Sequence, residues 1–131
     1  MELWTGTPYE YSRSRSGLVF TAGACPLDGS GNVVAPDDLV GQAERATDNL
    51  LVALAEAGAT ADSLLKTTIY VVASDRTDLV RVWDVVSERL GRAPSTLLGV
   101  SFLGYPEQLV EIEAVAAADA ASDEFRSTGR S

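Results

Sequence analysis

The sequence predicts a single α+β domain in which one mixed sheet carries two helices on the same face. Three observations lead there. The chain of 131 residues is too short for two independent cores. Its 46% apolar and 22% charged residues match ordinary globular proteins and lie far from the composition of disordered chains. Its apolar period switches between two residues and 3.6 residues in the order strand, helix, strand, helix, strand.

The stretch from Tyr9 to Arg15 alternates loosely, and Gly17-Leu18-Val19-Phe20-Thr21-Ala22-Gly23 is a short apolar run closed by glycines, so both read as strands. Pro26 to Asn32 is dense in residues that tolerate positive φ, which predicts a hairpin-like connection to Val33-Val34. Asp37 or Asp38 can cap a helix that runs to about Ala57, where Gly58 ends it. Val40, Ala43, Ala46, Leu50, Ala53, Leu54 and Ala57 fall on its inward face, with Glu44, Arg45, Asp48 and Glu56 elsewhere on the wheel.

Leu64 to Val72 is rich in β-branched residues, with Leu65, Thr67, Ile69 and Val71 on one face and Lys66, Thr68, Tyr70 and Val72 on the other. A second helix starts near Asp75 or Thr77 and runs to Leu90, its stripe formed by Leu79, Val82, Trp83, Val86 and Leu90. Gly91 stops it. Ser95 to Ser101 and Leu109 to Ala117 read as the last strands, joined through Leu103-Gly104-Tyr105-Pro106. Along the final strand Val110, Ile112, Ala114 and Ala116 face one way, and Glu111, Glu113 and Val115 the other. Apolar periodicity ends there, so residues 1–118 are expected to form the domain and 119–131 a flexible tail.

Ten basic residues stand against nineteen acidic ones, a net charge of −9 that repels phosphate backbones and argues against nucleic acid as a partner. Cys25 is the single cysteine, which excludes an intrachain disulfide, and the first residues lack the basic and apolar regions of a leader peptide. A cytoplasmic location is the expectation. No apolar run approaches the roughly 20 residues that cross a bilayer, so no membrane partner is expected. The chain has no histidine, which excludes Ser-His-Asp and Cys-His nucleophile systems. A metal would have to be held by one thiolate and carboxylates, an unusual set, and neither a metal nor another cofactor is expected.

The predicted sheet leaves Tyr70 and Val72 beside Lys66 and Thr68 on a face with no helix over it, a mixed surface that association between copies would cover. The motifs along the chain agree with this. Thr7-Pro8-Tyr9 followed by Leu18-Val19-Phe20-Thr21-Ala22-Gly23 resembles the opening of the Rid family, the YjgF-like reactive-intermediate deaminases. Gln42-Ala43, Asn49-Leu50, Leu54, Ala57-Gly58-Ala59, Lys66 to Val71, Arg92 to Ser95, Gly99-Val100 and Val110 to Ala114 continue the pattern at the family's spacing. Each motif alone is weak, and their order together is specific.

The resemblance implies a chorismate-mutase-like homotrimer with helices outside, a central barrel of sheets, and small-molecule pockets between subunits. It also implies an arginine just after the Pro-Ala pair, holding the carboxylate of an unstable imino or enamino acid. Here the segment reads Arg92-Ala93-Pro94-Ser95-Thr96, so Ser95 takes that place and a charged bidentate fork becomes a neutral hydroxyl. Arg92 would have to enter the pocket by a different route. Tyr9 matches the family's pocket tyrosine, Glu111 matches the acid that holds a water or substrate amine, and Trp83 stands where some deaminases carry asparagine.

Each candidate has a bland reading beside the chemical one. Glu111 and Glu113 share a strand face and can serve acid–base work on an imine, or form solvated or barrel-interior charge. Cys25 is a nucleophile or a small buried residue, and Lys66 a Schiff-base lysine or a solvated one. Ser95 and Thr96 donate to a ligand at the subunit junction or satisfy strand edges. Tyr9, Tyr11 and Tyr105 line a pocket or pack an interface. Two functions follow: hydrolysis of a neutral or non-carboxylate enamine or imine between subunits, and a non-catalytic ligand-binding or protein-stabilising trimer. A ribonuclease label carried by relatives fits poorly with the acidic charge and the missing histidine.

Overall fold

The computed structural model describes residues 2–118. It contains β1 (Ser12–Arg15), β2 (Leu18–Thr21), α1 (Leu39–Glu56), β3 (Leu64–Val72), α2 (Arg76–Leu90), β4 (Ser95–Val100) and β5 (Val110–Ala117). The tail expected at 119–131 lies outside the described residues. The strands form one sheet in the order β1-β2-β5-β3-β4. β3 and β4 are parallel, since α2 carries the chain back between them, and every other pairing is antiparallel. Both helices pack on one face, where Val19, Ile69, Val71, Val110, Ile112, Ala114 and Ala116 meet Ala43, Ala46, Leu50, Leu54, Val82, Val86 and Leu90.

Local chemistry accounts for the turns and caps. Ser16 and Gly17 both take positive φ, 53° and 78°, which suits the two-residue reversal between β1 and β2. The Asp28 carboxylate accepts from the backbone N–H groups of Ser30 and Asn32 and closes the turn-rich loop, whose ends bridge at Leu27 and Val33. Asp38 caps α1 by accepting from the Gly41 N–H at 2.9 Å, and Gly58 leaves the helix at φ 83°. Asp75 caps α2 in the same way through the Thr77 N–H. No helix among the described residues is long and apolar enough to cross a membrane.

Three sequence expectations change. β1 begins at Ser12, and Tyr9 and Tyr11 lie in the segment before it. Leu65 does not share the inward face of β3: it is 47% exposed, and Leu64 is buried instead. The pairing steps from Leu64↔Ala116 to Lys66↔Val115, so Leu65 is an extra residue in a bulge, and alternation holds only from Lys66 onward. Trp83 is 36% exposed on α2 and not part of its buried stripe, which consists of Val82, Val86 and Leu90 with Val85 packed beside it. Arg89 pairs with Asp48 on α1, and Val85 packs partly against the core while Trp83 does not.

The inward face of α1 is also more polar than its apolar stripe suggests. Gln42, Thr47 and Asn49 are buried there. The Gln42 amide donates to the carbonyls of Ala35, Pro36 and Glu107, and its oxygen accepts from the Leu109 N–H at 2.6 Å. The Asn49 amide donates to the carbonyls of Cys25 and Leu27 at 2.8 and 2.9 Å. Replacing Gln42 with leucine orphans buried backbone groups on both sides of the amide, each costing about 1–3 kcal/mol. Urea unfolding of Gln42→Leu is expected to show a loss of about 3 kcal/mol, while the exposed Glu44→Gln stays within about 0.5 kcal/mol of the parent.

Candidate functional site

The alternation of β5 sends Glu111 to the face opposite the helices, and a break in the neighbouring strand makes room for it. β2 pairs in register up to Phe20↔Val115, and the chain next bridges at Ala24↔Ile112. Four steps on one side therefore match three on the other, so the segment bulges. At the bulge the Thr21 hydroxyl replaces a backbone carbonyl and accepts from the Ala114 N–H at 3.0 Å. The bulge presses Gly23 against the acid: a Cβ at this position would lie 2.0 Å from Glu111 Oε2. Only glycine leaves the carboxylate in place.

Glu111 Oε1 accepts from Gln108 Nε2 at 3.1 Å and from Cys25 Sγ at 3.3 Å. Gln108 is buried in the loop between β4 and β5, where its amide also donates to the Val110 carbonyl and its oxygen accepts from the Tyr105 N–H. No donor among the described residues bonds Oε2. The carboxylate is thus fixed by one oxygen and free at the other.

Burial pushes the Cys25 thiol up to about 12, with the Glu111 charge and hydrogen bond adding to the effect. Cys25 is therefore a neutral hydrogen-bond donor at neutral pH, and its nucleophilic reading loses support. Tyr9 is 43% exposed, and its hydroxyl is pushed above the ordinary phenol range by burial first, then by the Tyr105 side chain, with smaller contributions from Cys25 and Glu111. It lies between two spaces. One is a small closed cavity behind it, lined by Trp4, Cys25 and Asn49. The other is an open cleft of about 810 Å³ lined by Arg13, Phe20 and Thr21.

The two acids on this face do not form a pair. Tyr70 donates its hydroxyl to Glu113 Oε1 at 3.1 Å, so each carboxylate has its own partners. The Tyr70 hydroxyl is pushed up by burial and then by this contact with Glu113. The other sequence candidates lie elsewhere in the chain. Ser95 begins β4 and shares a 2.6 Å hydrogen bond with the hydroxyl of Thr67, which is buried toward the helices. Thr96 points to the open face and accepts from the Lys66 ammonium. β4 is two strands from β5, roughly 10 Å away. Arg92 is exposed in the connection from α2 to β4, and Trp83 lies in the helix layer, across the sheet from Glu111.

One chain therefore gathers Glu111 and Tyr9, and keeps Ser95, Thr96, Arg92 and Trp83 apart from them. Gln108 and Gly23 went unnoticed as site residues in the sequence. Gly23 carried a signal, since a glycine closing a strand marks a bulge or a close approach. Gln108 carried none. Among the described residues no group of three or more side chains is placed to hold a metal ion.

A family model described as Endoribonuclease L-PSP matches residues 3–118. A RutC family protein of Pyrococcus abyssi is 29% identical over 110 residues, covering 83% of this chain and 85% of that protein. The structure of YyfA, a Rid protein of unknown function from Yersinia pestis, superposes with a TM-score of 0.77 at 26% identity, covering 85% of this chain and 88% of that one. A Mycobacterium tuberculosis member of the YjgF/YER057c/UK114 family gives 0.73 at 28% identity, over 90% and 98% of the two chains.

The state of Cys25 gives a direct test. Folding favours the neutral thiol, so this contribution to stability is complete below pH 9, the ordinary thiol value, and is lost as pH climbs toward 12. Alkylation by iodoacetamide is expected to stay slow in the folded protein until pH exceeds about 11, and to show a midpoint near 9 in denaturant. A folded-state midpoint near 9 would show that neither burial nor Glu111 holds the proton.

Proposed function

Because the chain belongs to the Endoribonuclease L-PSP family, that of the Rid and YjgF-like proteins, we propose that it hydrolyses a small imine or enamine in a pocket completed by neighbouring copies. The observation that carries this reading is the Glu111 carboxylate, held through one oxygen by Cys25 and Gln108 while the other is left without a protein donor. In this mechanism Glu111 Oε2 takes a proton from water as the water oxygen bonds to the C=N carbon. That proton passes to the nitrogen to give a carbinolamine, whose hydroxyl proton then moves through the same carboxylate to the nitrogen as the C–N bond breaks, so that ammonia leaves and a carbonyl remains. An enamine enters the same route once protonated at carbon to its imine. Tyr9 orients the ligand at the cleft edge with a neutral hydroxyl.

Three copies closing through the helix-free faces form the pocket in this reading. Support comes from the side chains on that face, with Phe20 49% exposed and Leu98 43% exposed. Ser95 and Thr96, distant from Glu111 within one chain, belong to the walls contributed by a neighbour. Arg92, exposed in the connection before β4, belongs to the outer rim in this reading, whereas Trp83, in the helix layer across the sheet, takes no part in it. Ser95 replaces the guanidinium expected at its position, so the reacting carbon need carry no carboxylate.

A second reading, a non-catalytic ligand-binding or protein-stabilising trimer, is favoured by one contact. The Ser95 hydroxyl is already engaged by Thr67. RNA remains a poor substrate for a chain of net charge −9.

Sedimentation equilibrium is expected to return the mass of three chains, and a well-folded single chain would remove the pocket. Ammonia release from imines generated in situ is expected from the parent protein. In Glu111→Gln it should fall at least about 100-fold with the trimer intact, in the range that general acid–base groups supply. Unchanged turnover in that variant rejects the mechanism, and binding without turnover by the parent favours the second reading.

A further inference from the structure

The small closed cavity behind Tyr9 separates the N-terminal segment from α1, and its lining has an unmet hydrogen-bonding demand. Asn49 borders it from the helix, Thr7 from the segment, and Cys25 and Leu27 from the loop after β2. Asn49 is only 5% exposed. Its amide nitrogen is committed to the carbonyls of Cys25 and Leu27, so the amide cannot turn over without setting its oxygen against two other acceptors. No described residue donates to that oxygen. A buried acceptor left this way costs free energy, and folded proteins supply nearly all such groups with a partner.

Thr7 presents a second acceptor to the same space. Its hydroxyl proton goes to the Tyr9 carbonyl at 2.8 Å, which leaves the oxygen lone pairs for an incoming donor. The Cys25 thiol proton is directed at Glu111 and serves neither group. The cavity gives about 10 Å³ to the centre of an occupant, close to the roughly 10–15 Å³ that a single water requires and too little for an organic molecule. Water carries two protons, one for each acceptor. The wall on the segment side can also adjust around it, because no backbone–backbone hydrogen bond joins residues 2–10 to the rest of the described chain.

We propose that this cavity is a binding site for one water molecule, which donates to Asn49 Oδ1 and to Thr7 Oγ1. The water ties the segment that carries Tyr9 to the helix whose Asn49 holds the Cys25 loop. This site is separate from the free oxygen of Glu111, and it stands whether or not the chain hydrolyses imines.

The test is a crystal structure of the parent protein at a resolution that orders solvent, paired with relaxation dispersion of water oxygen-17, which counts long-lived internal waters in solution. A density peak is expected in the cavity within hydrogen-bonding distance of both Asn49 Oδ1 and Thr7 Oγ1. Thr7→Val keeps the shape of the side chain and removes the acceptor, so both that peak and one long-lived water should be lost. Thr7→Ser retains the hydroxyl and should keep both. Ordered solvent elsewhere with none in the cavity overturns the proposal, as does a cavity water that persists in Thr7→Val or one that contacts Thr7 but not Asn49. Should Thr7→Val fail to fold, the parent and Thr7→Ser crystals still decide whether the water bridges the two oxygens.

Discussion

Two buried amides on α1 hold the site together from the far side of the sheet. Gln42 and Asn49 lie about two helical turns apart and point the same way. Gln42 is bonded to the β4–β5 loop through Glu107 and Leu109, and Asn49 to the loop after β2 through Cys25 and Leu27. Those loops supply Gln108 and Cys25, the two donors to Glu111. Loop backbone in a core must find partners for its N–H and C=O groups, and here a helix side chain provides them. The net worth of each bond is only about 1 kcal/mol, but leaving a partner orphaned costs more, so both loops are tied to the helix.

This arrangement divides the labour between the faces of the sheet. The helix side is packed with aliphatic residues and buried amides, and accounts for stability. The open side carries charge sorted by position. Arg13 and Lys66 lie in one cross-strand row with Phe20 and Val115, while Glu113 and Glu111 occupy successive positions farther along β5. Tyr70 ties up one acid, and the bulge at Gly23 shelters the other. The Glu111 carboxylate is held in one orientation by a neutral thiol and a buried amide, and its second oxygen has no donor among the described residues.

Much of this was legible because it is written in local chemistry. The caps at Asp38 and Asp75, the terminal glycines 58 and 91, and the strict alternation of β5 follow from residue type and spacing, and they put Glu111 on the correct face. The likeness to Rid proteins added Tyr9. Features that depend on contacts distant in sequence stayed hidden. Leu65 looks like an inward residue until pairing with β5 inserts a bulge, and Trp83 looks like core by spacing although it is 36% exposed. Gln42, Asn49 and Gln108 are polar residues with no periodic signature, and only the backbone groups they meet explain their burial.

The bulge beside β5 has a consequence for how this protein can vary. Because the space at position 23 is filled by the carboxylate of residue 111, the two positions share one volume. A methyl group at the first forces the acid at the second to swing aside or to be shorter, and aspartate would draw the charge back by one methylene. Chemistry and backbone are linked here, so a library that randomises either position alone will sample mainly misplaced acids.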